Sequence, residues 1–229
     1  MKTIGLLGGM SWESTAAYYR AINEGVKKSL GGLHSAKIVL YSVDFEPIER
    51  LQHKGDWEGM ANILSKAALS IQAAGADFLI ICTNTMHKVA PDIEKAIRIP
   101  ILHIADATAE VLVDKGIKTA GLLGTAFTME QDFYKGRLMK KYGLEVLVPN
   151  EPDRKIVHNV IYQELCLGRM IESSKIEYLR IIESLTRQGA EVIILGCTEI
   201  GLLVNQKDTD IELCDTAVIH AEKAVEYAI

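Results

Sequence analysis

The sequence predicts an α/β fold made of two similar lobes, each a parallel β-sheet covered on both faces by helices. Three observations carry this. Short apolar runs alternate with amphipathic helical stretches over the whole chain. T-I-G-L-L-G-G at Thr3–Gly9 returns as T-A-G-L-L-G-T at Thr119–Thr125, 116 residues on. A-G-A-D-F-L-I-I-C-T-N-T at Ala74–Thr85 returns as Q-G-A-E-V-I-I-L-G-C-T-E at Gln188–Glu199, 114 residues on. Common packing demands on α/β units are the plainer source of one such match. Two matches in the same order at nearly one offset point instead to duplication, and I-A-D-A-T (Ile104–Thr108) against L-C-D-T-A (Leu213–Ala217) is a fainter third echo. The division expected is residues 1–112 plus 214–229 for one lobe and 113–213 for the other.

The candidate strands, in order, are Thr3–Leu7, Lys37–Val43, Phe78–Ile81, Ile101–His103, Thr119–Leu123, Glu145–Val148, Val192–Leu195 and Ile211–Leu213. Each is a short apolar run of the kind buried on both faces, which is why the sheets are expected to be parallel. Helical periodicity is clearest over Trp12–Leu30, Trp57–Ala74 and Lys175–Arg187. Ligands of such sheets collect beyond the carboxyl ends of the strands, so the turns that leave the strands are the places to look for chemistry.

The bulk composition sets bounds. The 229 residues are 48% hydrophobic and 24% charged, enough for one large domain or two lobes with a substantial core. A net charge of −5 with basic residues scattered among acids, and only 6% aromatic residues, argues against a nucleic-acid partner. No uncharged run approaches the ~20 residues that span a bilayer, and the glycine-broken N-terminus is a poor export signal, so neither a membrane partner nor export is expected. The cysteines at 82, 166, 197 and 214 lack C-x-x-C spacing and read as free thiols of a cytoplasmic protein, with no metal site expected.

The repeat also ranks the groups in I-I-C-T-N-T-M-H. Aligned without a gap, Gly75 falls on Gly189, Cys82 on Gly196 and Thr83 on Cys197. Successive side chains of a strand point to opposite sides, so if Cys197 faces a cleft, Thr83 faces it from the other lobe and Cys82 turns into its own. Two such walls suit a proton leaving one face of a carbon and returning on the other. A general acid or base is worth ~10²–10⁴-fold, and the carbanion needs preorganised donors. T-N-T (Thr83–Thr85) and C-T-E (Cys197–Glu199) offer hydroxyls and backbone N–H groups at strand ends, natural places for an anion. G-G-M-S, ending in Met10 and Ser11, and G-T, ending in Thr125, are the matching turns after the first strand of each lobe. Ser11 is placed to cap the helix that follows. No G-x-x-x-x-G-K-[ST] or G-x-G-x-x-G occurs, which disfavours a nucleotide cofactor.

Taken together, G-L-L-G-G-M-S, T-N-T-M-H and G-C-T-E resemble the aspartate/glutamate racemase family along essentially the whole chain, with the closest likeness to bacterial broad-specificity amino-acid racemases. The resemblance implies a cofactor-independent enzyme with two flavodoxin-like lobes, an active site in the cleft between them, an amino-acid substrate and a homodimer. In that family each lobe ordinarily supplies a cysteine, one in C-N-T and one in G-C-T. Here Cys197 matches and the first position is Thr83. Cys166, in I-Y-Q-E-L-C-L-G, stands where several relatives carry a lysine for the distal carboxylate. The expected mechanism is Cα deprotonation by Cys197 and reprotonation on the opposite face by Thr83 or its water, favouring L to D.

Substrate contacts are expected from Met10, Ser11, Gln52, Asn84, Thr85, Thr125, Cys166, Thr198 and Glu199, the last also placed to orient Cys197. Arg50 is a further candidate for the substrate side chain. The plainer roles are turn closure for Asn84, Thr85, Thr198 and Glu199 and burial as small hydrophobes for Cys82 and Cys214. His87 and His103 read as helix-turn and core residues, and Trp12 and Trp57 as packing. Two rival functions stand beside the racemase: a decarboxylase or cis–trans isomerase of the same superfamily style, for which one cysteine suffices, and a non-catalytic amino-acid-binding module.

Overall fold

The computed structural model describes all 229 residues, which fall into two compact units: Met1–Ile104 with His220–Ile229, and Ala105–Ile219. The first boundary lies earlier than residue 112 because the helix Ile104–Asp114 is tied to the second unit. Asp106 there accepts from Arg137 Nε and Nη2 at 2.6 and 2.7 Å and from the Lys141 ammonium at 2.8 Å. The second boundary falls at 219/220, inside the last helix.

The first unit runs β1 (Ile4–Gly8), α1 (Trp12–Leu30), β2 (Ile38–Ser42), α2 (Phe45–Lys54), α3 (Trp57–Ala73), β3 (Phe78–Ile81) and α4 (Ala90–Ala96). Its sheet has the order β2-β1-β3, all parallel, with Ile4 opposite Phe78 and Leu7 opposite Ile81. Every residue of β1 and β3 is buried. Leu7 of β1 and Leu79 and Ile81 of β3 meet Leu64, Ala68 and Ile71 of α3 and Ile93 of α4 in one apolar cluster, and each such Leu or Ile contributes roughly 1.5–3 kcal/mol by leaving water. Helix α1 buries Ser14, Tyr18, Ile22 and Val26, one turn apart, and starts where the Ser11 hydroxyl accepts from the Ser14 N–H at 3.3 Å. Strand β2 is the open edge of the sheet, and its Leu40 and Tyr41 are exposed.

The expected strand Ile101–His103 is only a single parallel bridge, Ile101 to Leu79. The Pro100 carbonyl accepts from the Leu79 N–H, and the Leu102 N–H returns to the Leu79 carbonyl. The next N–H on that side, at Ile104, donates to a histidine ring, and the ladder stops after one residue.

The second unit holds α5 (Ile104–Asp114), β4 (Thr119–Gly124), α6 (Ala126–Glu130), α7 (Lys135–Tyr142), β5 (Glu145–Leu147), α8 (Glu151–Gln163), α9 (Glu172–Arg187), β6 (Val192–Gly196), α10 (Ile200–Leu203), β7 (Glu212–Asp215) and the start of α11 (Thr216–Ala228). Its sheet order is β5-β4-β6-β7, again parallel. The repeated sequences fold into equivalent elements: β4 takes the place of β1, β5 of β2 and β6 of β3. The registers agree as well. Leu7 pairs with Ile81 in one sheet and Leu123 with Leu195 in the other. Gly75 and Gly189, aligned by the repeat, both adopt positive φ (93° and 106°) where a long helix turns into the third strand.

Candidate functional site

In the first unit, the turns beyond β1 and β3 lie side by side at the carboxyl end of the sheet. After β1, Gly9 has φ 93°, and a Cβ there would come within 2.2 Å of the Val43 carbonyl oxygen, so only glycine lets the two chains pass. The Gly9 N–H donates to the Thr15 hydroxyl at 2.8 Å, which donates in turn to the Ser11 carbonyl at 2.8 Å. Met10 and Ser11 are both buried here, Met10 within the apolar cluster. Ser11 is the α1 cap that the sequence led us to expect.

After β3, Cys82 is wholly buried, and that burial pushes its thiol far above the ordinary range. Thr83, the next residue, is half-buried, and Asn84 and Thr85 are buried at the start of a 3₁₀ turn over Thr85–Val89. Both carbonyls flanking the turn are held by side chains. The Ser14 hydroxyl donates to the Cys82 carbonyl at 3.2 Å, and His87 Nδ1 lies 2.8 Å from the Thr83 carbonyl oxygen. Gln52 is buried on α2, the helix that follows β2, whereas Arg50 on the same helix is exposed and lies 3.8 Å from Glu46.

In the second unit, Thr125 and the Cys197–Glu199 turn follow adjacent strands, with Gly124 opposite Gly196. Thr125 caps α6, accepting from the Thr128 N–H at 3.3 Å. Cys197 Sγ donates to Glu199 Oε2 at 3.0 Å, and the Thr198 hydroxyl donates to the same oxygen at 2.8 Å. Cys197 and Glu199 are buried and Thr198 is half-buried. Burial, and after it the neighbouring Glu199 carboxylate, pushes the Cys197 thiol well above its ordinary range. Cys166, half-buried in a 3₁₀ turn at Leu165–Leu167, is near enough to add to that push. Cys214 is buried on β7, its thiol pushed up to about 11 by burial.

The expected residues therefore gather in two sets. Met10, Ser11 and Thr83–Thr85 share the strand ends of one unit, with Gln52 on a helix leaving the same sheet. Thr125, Cys166 and Cys197–Glu199 group in the other. Trp12 departs from expectation: it is 67% exposed at the start of α1 instead of packed. Trp57 is partly buried and carries the Lys88 ammonium 3.6 Å from its ring centre. Sequence reasoning passed over Ser14 and treated His87 as ordinary, although both hold the Thr83 turn. The available signal was spacing: His87 lies four residues after Thr83, the distance at which one helical turn brings a side chain back to a carbonyl.

This fold and these two turns define a class. The profile of the Asp/Glu/Hydantoin racemase family matches residues 7–224, and the chain belongs to that family, an isomerase of the amino-acid racemase class. It is similar, at 58% identity and a TM-score of 0.93, to a Yersinia pestis protein described as a candidate Asp/Glu racemase, covering 100% of this chain and 99% of that one. An aspartate racemase homologue from Pyrococcus horikoshii is 36% identical with a TM-score of 0.85, covering 100% and 99%. A broad-specificity amino-acid racemase of Bacillus subtilis is 22% identical over 97% of this chain and 96% of its own length. No helix of the chain is long and apolar enough to cross a membrane.

Proposed function

We propose that the protein is a cofactor-independent racemase of aspartate, glutamate or a broader set of amino acids, working preferentially from L to D. Cys197 removes the α-proton and Thr83, directly or through a water it holds, returns one on the opposite face. The observation that carries this reading is the matched register. Thr83 stands two residues past Ile81, the partner of Leu7, as Cys197 stands two residues past Leu195, the partner of Leu123. Two residues equivalent by both sequence repeat and sheet register suit two faces of one carbon.

The chemistry divides unequally between them. A thiol ionises near pH 8.5, whereas an alcohol is a far weaker acid. Thr83 is thus a poor abstractor but can give a proton to a carbanion alpha to a carboxylate, a strong base. Cys197 must become a thiolate to abstract, and because burial and the Glu199 carboxylate it donates to hold the thiol neutral at rest, its proton must leave before turnover. Asn84, Thr85, Thr198, Ser11 and Thr125 supply donors for the substrate carboxylate, the preorganised stabilisation that such a carbanion needs. Gln52 and Cys166 are left for the side chain. The reaction calls for no electron sink beyond these donors.

A thiol that must stay reduced suits the cytoplasm. The open β2 edge, with Leu40 exposed beside Trp12 and Tyr19 and Tyr41 exposed on the opposite face, supports a homodimer formed there. Sedimentation of Tyr41→Lys tests that surface, and an unchanged dimer speaks against it. The function itself is tested by incubating each amino acid in D₂O and following its Cα–H signal by proton NMR, with chiral chromatography of the products. We expect loss of the signal for at least one acidic or broader substrate and accumulation of its D-enantiomer. Undiminished deuterium uptake by Cys197→Ala would remove the mechanism.

A further inference from the structure

We infer that His87, in its neutral Nδ1–H form, is the positioning residue that aims the Thr83 hydroxyl. This role rests on the racemase reading above and extends it to a residue that touches no substrate.

The geometry fixes both the tautomer and the task. The backbone N–H of Ile104 can only donate, and it lies 3.2 Å from His87 Nε2, so that nitrogen accepts. The proton is therefore on Nδ1, 2.8 Å from the Thr83 carbonyl oxygen, to which it donates. His87 is 1% exposed, and the His103 ring packs on it with centroids 4.4 Å apart, so its plane is set. The histidine thus bridges two backbone groups 21 residues apart, the carbonyl of Thr83 and the N–H of Ile104.

That bridge acts on the turn where orientation matters. Around Thr83 the backbone is tied at four points: Cys82 N–H to the Leu7 carbonyl at 2.9 Å, Thr83 N–H to the Ile81 carbonyl at 2.8 Å, the Ser14 hydroxyl to the Cys82 carbonyl, and His87 to the Thr83 carbonyl. The first three hold the strand side of the turn. The last is a side-chain bond to the peptide following Thr83, and with the bonds on the preceding peptide it fixes the Thr83 backbone from which the hydroxyl projects. A proton donor displaced by about 1 Å can lose on the order of 10²-fold in rate, so a single well-placed bond here has catalytic weight without contact to the reacting atoms.

Two near-isosteric replacements separate the role from general stability. In His87→Asn the amide NH₂ can occupy the Nδ1 position and keep the donor to the Thr83 carbonyl, while the acceptor for Ile104 is lost. In His87→Gln the amide reaches the Nε2 position, keeping the Ile104 bond and losing the one to Thr83. The measurements are kcat and KM for L to D conversion by circular dichroism, the thermal midpoint, and the rate of Cys197 alkylation by iodoacetamide as a check that the second unit is undisturbed. We expect His87→Asn to keep kcat within about threefold and His87→Gln to lose roughly 10–100-fold in kcat, with KM and alkylation nearly constant in both. Equal kcat in the two variants, or losses that track the thermal midpoint, would overturn the role. A wild-type protein that exchanges no Cα proton of any amino acid sinks the racemase reading and this role with it. A racemising wild type whose His87→Gln form keeps full kcat sinks the role alone.

Discussion

Under the proposed mechanism, Thr83→Cys should speed racemisation from either enantiomer, because the equilibrium constant of a racemisation is one and holds kcat/KM equal in the two directions. In the D to L direction the group at residue 83 must abstract a proton, so its ionised fraction enters the rate. A hydroxyl is a weaker acid than a thiol by roughly seven pKa units, so the thiol carries on the order of 10⁷ more anion at neutral pH. The weaker basicity of a thiolate returns part of this. With a Brønsted slope near 0.5 the net gain is about 10³–10⁴-fold, or roughly 5 kcal/mol off the barrier. The structure supports placement of the new sulfur, because residue 83 lies two residues past Ile81 as Cys197 lies two past the equivalent Leu195, and its carbonyl is already held by His87. The assay is the initial rate from pure D-enantiomer, by circular dichroism, beside the rate from pure L. The kcat/KM from D should rise by about three orders of magnitude, and the kcat/KM from L should rise with it. A correctly folded Thr83→Cys protein with an unaltered D to L rate would refute the reasoning.

Three other outcomes follow from the same contacts. Glu199→Gln removes the negative charge beside Cys197 and must lower the pKa of that thiol, so the pH dependence of its alkylation should move to lower pH; a move upward would contradict the assigned contact. His220 is fully buried, accepting from the Tyr18 hydroxyl at 2.9 Å and donating to the Leu102 carbonyl at 2.8 Å, and burial lowers its pKa from 6.5 to about 4. The unfolded chain then binds the extra proton first, so about 3 kcal/mol of stability present above pH 6.5 is lost as pH falls toward 4. Urea unfolding of His220→Asn against wild type should show a shallower slope in that window, and parallel slopes would count against it. Gly9→Ala places a Cβ 2.2 Å from a backbone oxygen at φ 93°, and should cost about 2–4 kcal/mol in the same assay, with no loss arguing that the turn is laxer than it looks.

Much of this was legible in the chain because the strands are apolar throughout and the chain repeats. Seven of the eight expected strands form, and Phe78–Ile81 does so with the boundaries read from sequence. Gapless alignment was enough to set Thr83 against Cys197, since a period of two leaves no latitude for a slipped register. Ile101–His103 was misjudged because its apolar character says nothing of where backbone N–H groups go, and one of them was already engaged by His87. Trp12 was misjudged because a helix's first turn can point an aromatic outward without disturbing the period. The roles of Ser14 and His87 were hidden for a related reason: they act on carbonyls, and a carbonyl has no letter in the sequence.

The central claim is tested most directly by a crystal structure of the protein with its L-amino acid bound, measuring the distances from Cys197 Sγ and Thr83 Oγ1 to the α-carbon. We predict both atoms, or a single water on Thr83, within about 3–4 Å on opposite faces. A substrate held by only one of the two residues, or both atoms on one face, would contradict the account.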